Sequence, residues 1–329
     1  MEASIATRGV NLGGWFIPEK WMTPMVFDGL MVDDSIELLQ TDDGRSRYME
    51  HIQTFIQDLD IEFLAQNHLR LLRVPIAWWM VTNDYADVAA TCMERLDWLF
   101  QLAEKHNLRI LLDYHGARGS QNGKDHSGKS GAVEWKKYKS EHLMYLTDIT
   151  RRYADSPALW GVELLNEPVV KGNFWALYTY YRRVKKQLKS IIPTTVKIII
   201  HDGFIPILFT NIAPWKSKTV LDMHLYEITV KEDESIQQYF DRRDKMYKQR
   251  IRFYRHFQSV IVGEWSGVVP ERFLKTVSAT ERAEIIHENI ARQLKVYSAA
   301  DAWMFWSFKT VDQSMWNFQS LLQHDKELL

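Results

Sequence analysis

The sequence predicts an α/β chain closed into a single barrel of eight parallel strands, and three observations point there. Apolar runs of strand length alternate with longer stretches whose apolar residues recur at spacings of three and four. Many of those runs end in polar or ionisable residues, as strands do when their C-terminal ends open on a site rather than on a core. With 329 residues, 46% of them hydrophobic, the chain is long enough to fill such a barrel.

Taken in order, RGVNLGGW from Arg8 reads as a short first strand with glycines at its exit. Residues 45–68 read as one helix, because Ile52, Phe55, Ile56, Leu59 and Phe63 share a face. Residues 69–76, LRLLRVPI, form the second strand, a helix over 93–107 follows, and 108–115, LRILLDYH, is the third strand. After a helix over 134–153 comes 159–168, LWGVELLNEP, an apolar run suited to a strand buried on both faces. Pro168 has no N–H for a ladder, so the strand ends where Asn166 and Glu167 stand. A helix over 173–192 leads to strands at 196–202 and 219–226, and a long charged helix over 234–257 leads to SVIVGEW at 259–265. Ile286, Ile290, Leu294 and Tyr297 mark the next helix, and 302–309, AWMFWSFK, is the eighth strand. Neither a Pro/Gly/Ser-rich linker nor a low-complexity tract interrupts this rhythm, so one barrel domain over 1–329 is expected.

Composition narrows the function. The formal net charge of −1, from 41 basic and 42 acidic side chains, gives no global field to draw nucleic acid or an anionic membrane. A run of about 18 apolar residues, as a membrane span needs, is absent. The single cysteine, Cys92, excludes an intramolecular disulfide framework and a multi-cysteine metal site. With no basic and apolar leader at the N-terminus, the expectation is a cytoplasmic protein, or else the mature form of an exported one. Aromatic residues make up 13% of the chain, with 13 Trp, more than a core requires, so some are expected to line a surface that meets flat apolar faces.

In a closed parallel barrel the strand C-termini converge, which would gather Arg73, His115, Asn166, Glu167, His224, Tyr226, Glu264 and Trp306. Glu167 and Glu264, each delivered at the end of an apolar run, are what general-acid and nucleophilic chemistry needs. Taken singly, either could be a buried ion-pair partner, His115 a hydrogen-bonded core histidine and Trp306 a core tryptophan. So many polar strand ends together fit a site better. With neither HxH nor HExxH present, no metal is expected, and no organic cofactor either.

The motifs RGVNLGGWFIPEKW, LRLLRVPIAWW, DYHGARGSQNGKDHSG, LLNEP, MHLY, GEW and WMFWSFK resemble, in order, the signatures of glycoside hydrolase family 5 and its exo-β-1,3-glucanase branch. The resemblance implies a (β/α)8 TIM barrel and a retaining β-glycosidase, with Glu167 as acid/base and Glu264 as nucleophile. It implies that Arg73 holds Glu264 ionised, that Tyr226 donates to the same carboxylate, and that Asn166 binds the sugar 2-hydroxyl. His115 and His224 would bind hydroxyls or orient the acid, and Trp306 would floor the sugar. An ionised Glu264 nearby should raise the proton affinity of Glu167.

Glu19 and Asp125 match the acids that hold the non-reducing end in the exo-acting branch. The implied activity is therefore removal of glucose from that end of a β-glucan, β-gluco-oligosaccharide or β-glucoside. Endo-β-1,4-glucanase or mannanase action on the same barrel, or a carbohydrate-binding barrel without catalysis, are the alternatives. Three positions depart from the branch: Arg118 for a proline, Lys124 for an aromatic, and His126 for an amide. Cationic Arg118 and Lys124 at the mouth suggest an acidic or phosphorylated leaving group. Oligomeric state is not legible.

Overall fold

The computed structural model describes residues 6–209, 219–311 and 315–325. Eight strands form a closed parallel barrel in sequence order: β1 (Thr7–Asn11), β2 (Leu71–Ala77), β3 (Arg109–Gly116), β4 (Leu159–Glu163), β5 (Lys197–His201), β6 (Thr219–His224), β7 (Ser259–Trp265) and β8 (Ala302–Phe305), with β8 pairing back onto β1. The predicted fold class is the observed one. All seven residues of β2 are buried, as a strand faced by side chains inside and helices outside requires.

The helices form the outer ring, and their ends are set locally. Ser235 caps Ile236–Arg255 by accepting from the Gln238 N–H, and Ser278 caps Ala279–Tyr297 by accepting from the Glu281 N–H, each box worth about 1 kcal/mol over alanine. One expectation fails here. The apolar stripe over 45–68 belongs to two helices, Asp42–Thr54 and Asp58–Gln66. Gln57 is extended between them and its N–H donates to the Asp60 carboxylate at 2.9 Å, so a new N-terminus starts inside a continuous apolar stripe. The strands predicted at 159–168, 219–226 and 302–309 likewise stop early, at Glu163, His224 and Phe305, and the residues that follow them form the rim. None of the described helices is long and apolar enough to cross a membrane.

Strand periodicity explains how the barrel carries a site. Leu71, Leu111, Val220 and Ile261 are buried together in an apolar cluster with Ile199, Ala302 and Met304, at the bottom of the barrel interior. Two residues further along each strand the same inward direction recurs, and there stand Arg73, Asp113, Asp222 and Gly263, with Glu163 contributed by β4. An apolar floor is thus overlaid by a fully buried ionic layer.

Candidate active site

Arg73 is the centre of that layer. Its Nε donates to Glu163 Oε2 at 2.9 Å, its Nη1 to Asn11 Oδ1 at 2.9 Å and to Glu264 Oε1 at 2.8 Å, and its Nη2 to Asn166 Oδ1 at 2.8 Å. Asp113 lies 3.1 Å from Nη2 and Asp222 3.8 Å from Nε. Burial disfavours the guanidinium charge, but the surrounding carboxylates outweigh it and keep Arg73 firmly protonated. Glu163 is driven the other way: burial, reinforced by Asp222 and Asp113, raises it well above the carboxylate range despite Arg73.

Glu264, 6% exposed at the end of β7, is held from two sides, by Arg73 and by Tyr226, whose hydroxyl donates to Oε2 at 3.1 Å. The approach depends on Gly263, since a Cβ there would overlap the Asp222 carboxylate, which accepts the Gly263 N–H at 2.6 Å. Glu167 follows β4 on a short extension in which Leu164 N–H bonds Ile199 O and Asn166 N–H bonds Tyr114 O; its own φ is 41°, the left-handed region. That conformation points the carboxyl at His224, whose Nδ1 lies 2.6 Å from Glu167 Oε1 and 3.4 Å from Glu264 Oε2. The two carboxylates share one imidazole nitrogen.

The charge distribution differs from the sequence expectation. Burial would raise Glu167, but the hydrogen bond from His224, together with the charges of His224 and His126, holds it below the usual range. His224, which burial alone would deprotonate, is held well above the usual imidazole range by Glu264, Asp222 and Glu167. Glu264 is pushed up to about 7 by burial and by Glu167, against the pull of His224 and Arg73. These directions favour His224 over Glu167 as the holder of the proton.

The remaining predicted residues are linked to these groups by contact or by charge. His115 is buried, its Nδ1 at 2.6 Å from Asp113 Oδ2 and its Nε2 at 3.3 Å from Asn166 Nδ2; burial lowers it to about 4, so it is neutral. Trp306, 5% exposed, stacks on His115 at 5.5 Å and 11°, and Gly13 leaves room for it, since a Cβ would come within 2.9 Å of its indole. Trp303, in β8, is a core residue against Trp265 and Phe318. Glu19 accepts from Trp21 Nε1 at 2.7 Å and is raised to about 8, by burial first and then by Asp125, Glu264 and Glu167; it is neutral at pH 7. Trp21 and Asp125 line a cleft of about 560 Å³ with Lys20, Asp33 and Lys124.

Arg118 departs from expectation. Its guanidinium is neutralised by Asp84 at 3.1 Å and Glu141 at 2.8 Å and lies over the Trp78 and Tyr138 rings, so it offers no free charge to a ligand. His126 sits with Nε2 at 3.6 Å from Glu167 Oε2. Sequence reasoning missed Asn11, Asp113, Glu163, Asp222 and His201. The available signal was a polar side chain at an inward position of an apolar strand, which must find a partner across the barrel. His201 accepts the Gly203 N–H at Nδ1 and packs edge-on to His224, ring centres 4.3 Å apart. Glu167, His201 and His224 bring ligand atoms within 4.8 Å of one another, as do Glu163, Asp222 and His224; a cation in the first group would have to displace the Glu167–His224 hydrogen bond, and one in the second would stand beside the Arg73 guanidinium.

The chain is similar to known proteins. The sequence profile of the cellulase family, glycosyl hydrolase family 5, matches residues 40–311. The chain is 30% identical to the probable glucan 1,3-beta-glucosidase A of Emericella nidulans, over 96% of this chain and 88% of that one, and 28% identical to the glucan 1,3-beta-glucosidase of Blumeria graminis, over 95% and 84%. Among solved structures, rutinosidase from Aspergillus niger superposes with a TM-score of 0.78 over 98% of each chain at 18% identity, a likeness of fold.

Proposed function

The chain belongs to the cellulase family, glycosyl hydrolase family 5, and is a glycoside hydrolase; on that premise we propose an exo-acting β-1,3-glucanase or β-glucosidase that releases glucose from the non-reducing end. The observation that carries the chemistry is the shared contact with His224. Contacts of 2.6 and 3.4 Å to one nitrogen keep the nearest oxygens of Glu167 and Glu264 within about 6 Å of each other. This supports retention, for which the carboxyls stand about 5–5.5 Å apart, over inversion, which needs about 6.5–9.5 Å.

In this reading Glu264 attacks the anomeric carbon as a carboxylate, oriented by Arg73 and Tyr226, while the bond to the leaving oxygen breaks. The leaving oxygen takes its proton from Glu167. Substrate entry favours that transfer by covering the part of Glu167 that still faces solvent: its carboxylate loses solvation, so the proton moves from His224 Nδ1 to Glu167 Oε1 and both become neutral. Glu167 is left ionised after the first step and takes a proton from the water that cleaves the glycosyl ester, returning Glu264 to its carboxylate. Asn166, fixed through its oxygen by Arg73, presents its amide nitrogen to the sugar 2-hydroxyl, and Trp306 lies under the ring.

Exo action rests on Glu19 and Asp125. A neutral Glu19 can both donate to and accept from a terminal hydroxyl, and Asp125 stands near enough to perturb it electrostatically. The relatives named for glucan 1,3-beta-glucosidase activity support the same linkage. Time-resolved product analysis on a laminarin-type β-1,3-glucan and on cello-oligosaccharides tests it: glucose alone from the first minutes is expected, and mixed oligomers overturn exo action in favour of an endo enzyme.

A further inference from the structure

A second cavity of about 560 Å³ is lined by Glu167, the residue that protonates the leaving group in the proposed reaction. Its walls are mostly apolar. Pro168, Val169 and Val170 follow Glu167 directly, and Phe204 and Ile205, neighbours in the turn after β5, present large apolar side chains that are 54% and 42% exposed. Phe204 has a φ of 60° and its N–H donates to Asp202 Oδ1 at 2.7 Å, so the backbone that presents the ring is fixed rather than loose. Two cations stand at the edge, Lys124 and Lys171, both exposed and neither in an ion pair among the described residues. The acidic group lining this cavity is Glu167 itself, which carries no charge when it is the acid.

An aglycone that is a second neutral sugar would leave both lysines unused. We propose that this cavity selects a β-glucoside whose leaving group has a flat apolar body bearing a carboxylate or phosphate, the body lying against Phe204 and Ile205 and the anion facing Lys124 and Lys171. The proposal rests on the glycosidase reading and specifies its leaving-group class. Arg118, the other cation near the mouth in the sequence, does not contribute because Asp84 and Glu141 neutralise it.

The test compares 2-naphthyl β-glucoside with its 6-carboxy counterpart, in the full-length enzyme at low salt and at high salt. Each exposed charge pair contributes modestly, so the ratio of kcat/KM should favour the carboxylate about fivefold or more. High salt should erase most of that ratio, because exposed pairs are screened. The ratio should also fall to near unity in Lys124→Ala/Lys171→Ala, while Phe204→Ala should weaken both substrates alike. Equal efficiency for the two glucosides, or a preference that survives the double lysine variant, overturns the proposal. If the neutral glucoside is hydrolysed, the glycosidase reading stands whatever the ratio; if neither glucoside is hydrolysed, that reading fails and this proposal with it.

Discussion

Replacing His224 by glutamine keeps a hydrogen-bond donor between Glu167 and Glu264 but removes the proton and the charge that both carboxylates face. In the native site the imidazole lies 2.6 Å from one and 3.4 Å from the other, and its own acidity is held well below normal by that company. A hydrogen bond to a charged group contributes about 1.5–3 kcal/mol, which corresponds to about 1–2 pH units. Two consequences follow for kcat/KM, whose limbs report the free enzyme. The alkaline limb, set in the native enzyme by proton loss from the His224–Glu167 pair, should come down by about 1–2 units, because Glu167 must then hold the proton unaided. The acidic limb, set by Glu264 near 7, should move up, because His224 no longer favours its ionised form. As the limbs approach and cross, the maximum should fall about 10- to 100-fold. The assay is kcat/KM for an aryl β-glucoside from pH 4 to 9, with circular dichroism to confirm folding. A folded variant with both limbs where the native enzyme has them would refute the shared proton.

Three further outcomes are expected. Arg73→Met should leave Asp113, Asp222 and Glu264 without their cation and cost at least about 3–5 kcal/mol, read as a collapse in thermal stability alongside lost activity; Arg73→Lys should recover only part, because a lysine cannot fork to Asn11, Glu163 and Asn166 together. Gly263→Ala should lower stability and abolish hydrolysis, since its Cβ must displace the Asp222 carboxylate and with it the neighbouring Glu264. His51, buried with Nε2 at 2.7 Å from Gly14 O, is lowered to about 4 chiefly by burial, so the unfolded chain binds the extra proton below about 6.5. Its contribution is present above that pH and lost on acidification toward 4, about 2 kcal/mol between pH 7 and pH 5; in denaturant melts at the two pH values, His51→Gln should lose correspondingly less than the native chain.

Strand order and the polar residues at the rim were legible because each is a local property: an apolar run, then a polar residue or a proline, as in LLNEP and GEW. The break at Gln57 was not, because the apolar stripe continues through Phe55 and Ile56 while the decisive event is one N–H turning to Asp60. Asp113, Glu163 and Asp222 were hidden for a different reason. Each sits singly inside a hydrophobic strand, and only barrel closure brings the three to one guanidinium on β2. The reversal of acidity between Glu167 and Glu264 was likewise beyond sequence, since it turns on a left-handed residue at 167 aiming its carboxyl at a histidine two strands away. Arg118 shows the opposite failure: a charge visible in the sequence is silenced by two acids that the fold supplies.

The central claim is that Glu264 forms the covalent bond to glucose. The most direct test is to trap the enzyme with an activated 2-deoxy-2-fluoro-β-glucoside, which slows both steps but the second more, and to locate the adduct by peptide mass spectrometry. The account predicts one fluoroglucosyl group on the peptide containing Glu264, reversible on long incubation with water or an acceptor sugar. An adduct on another residue, or steady hydrolysis of ordinary β-glucosides with inverted product and no adduct at all, would contradict it.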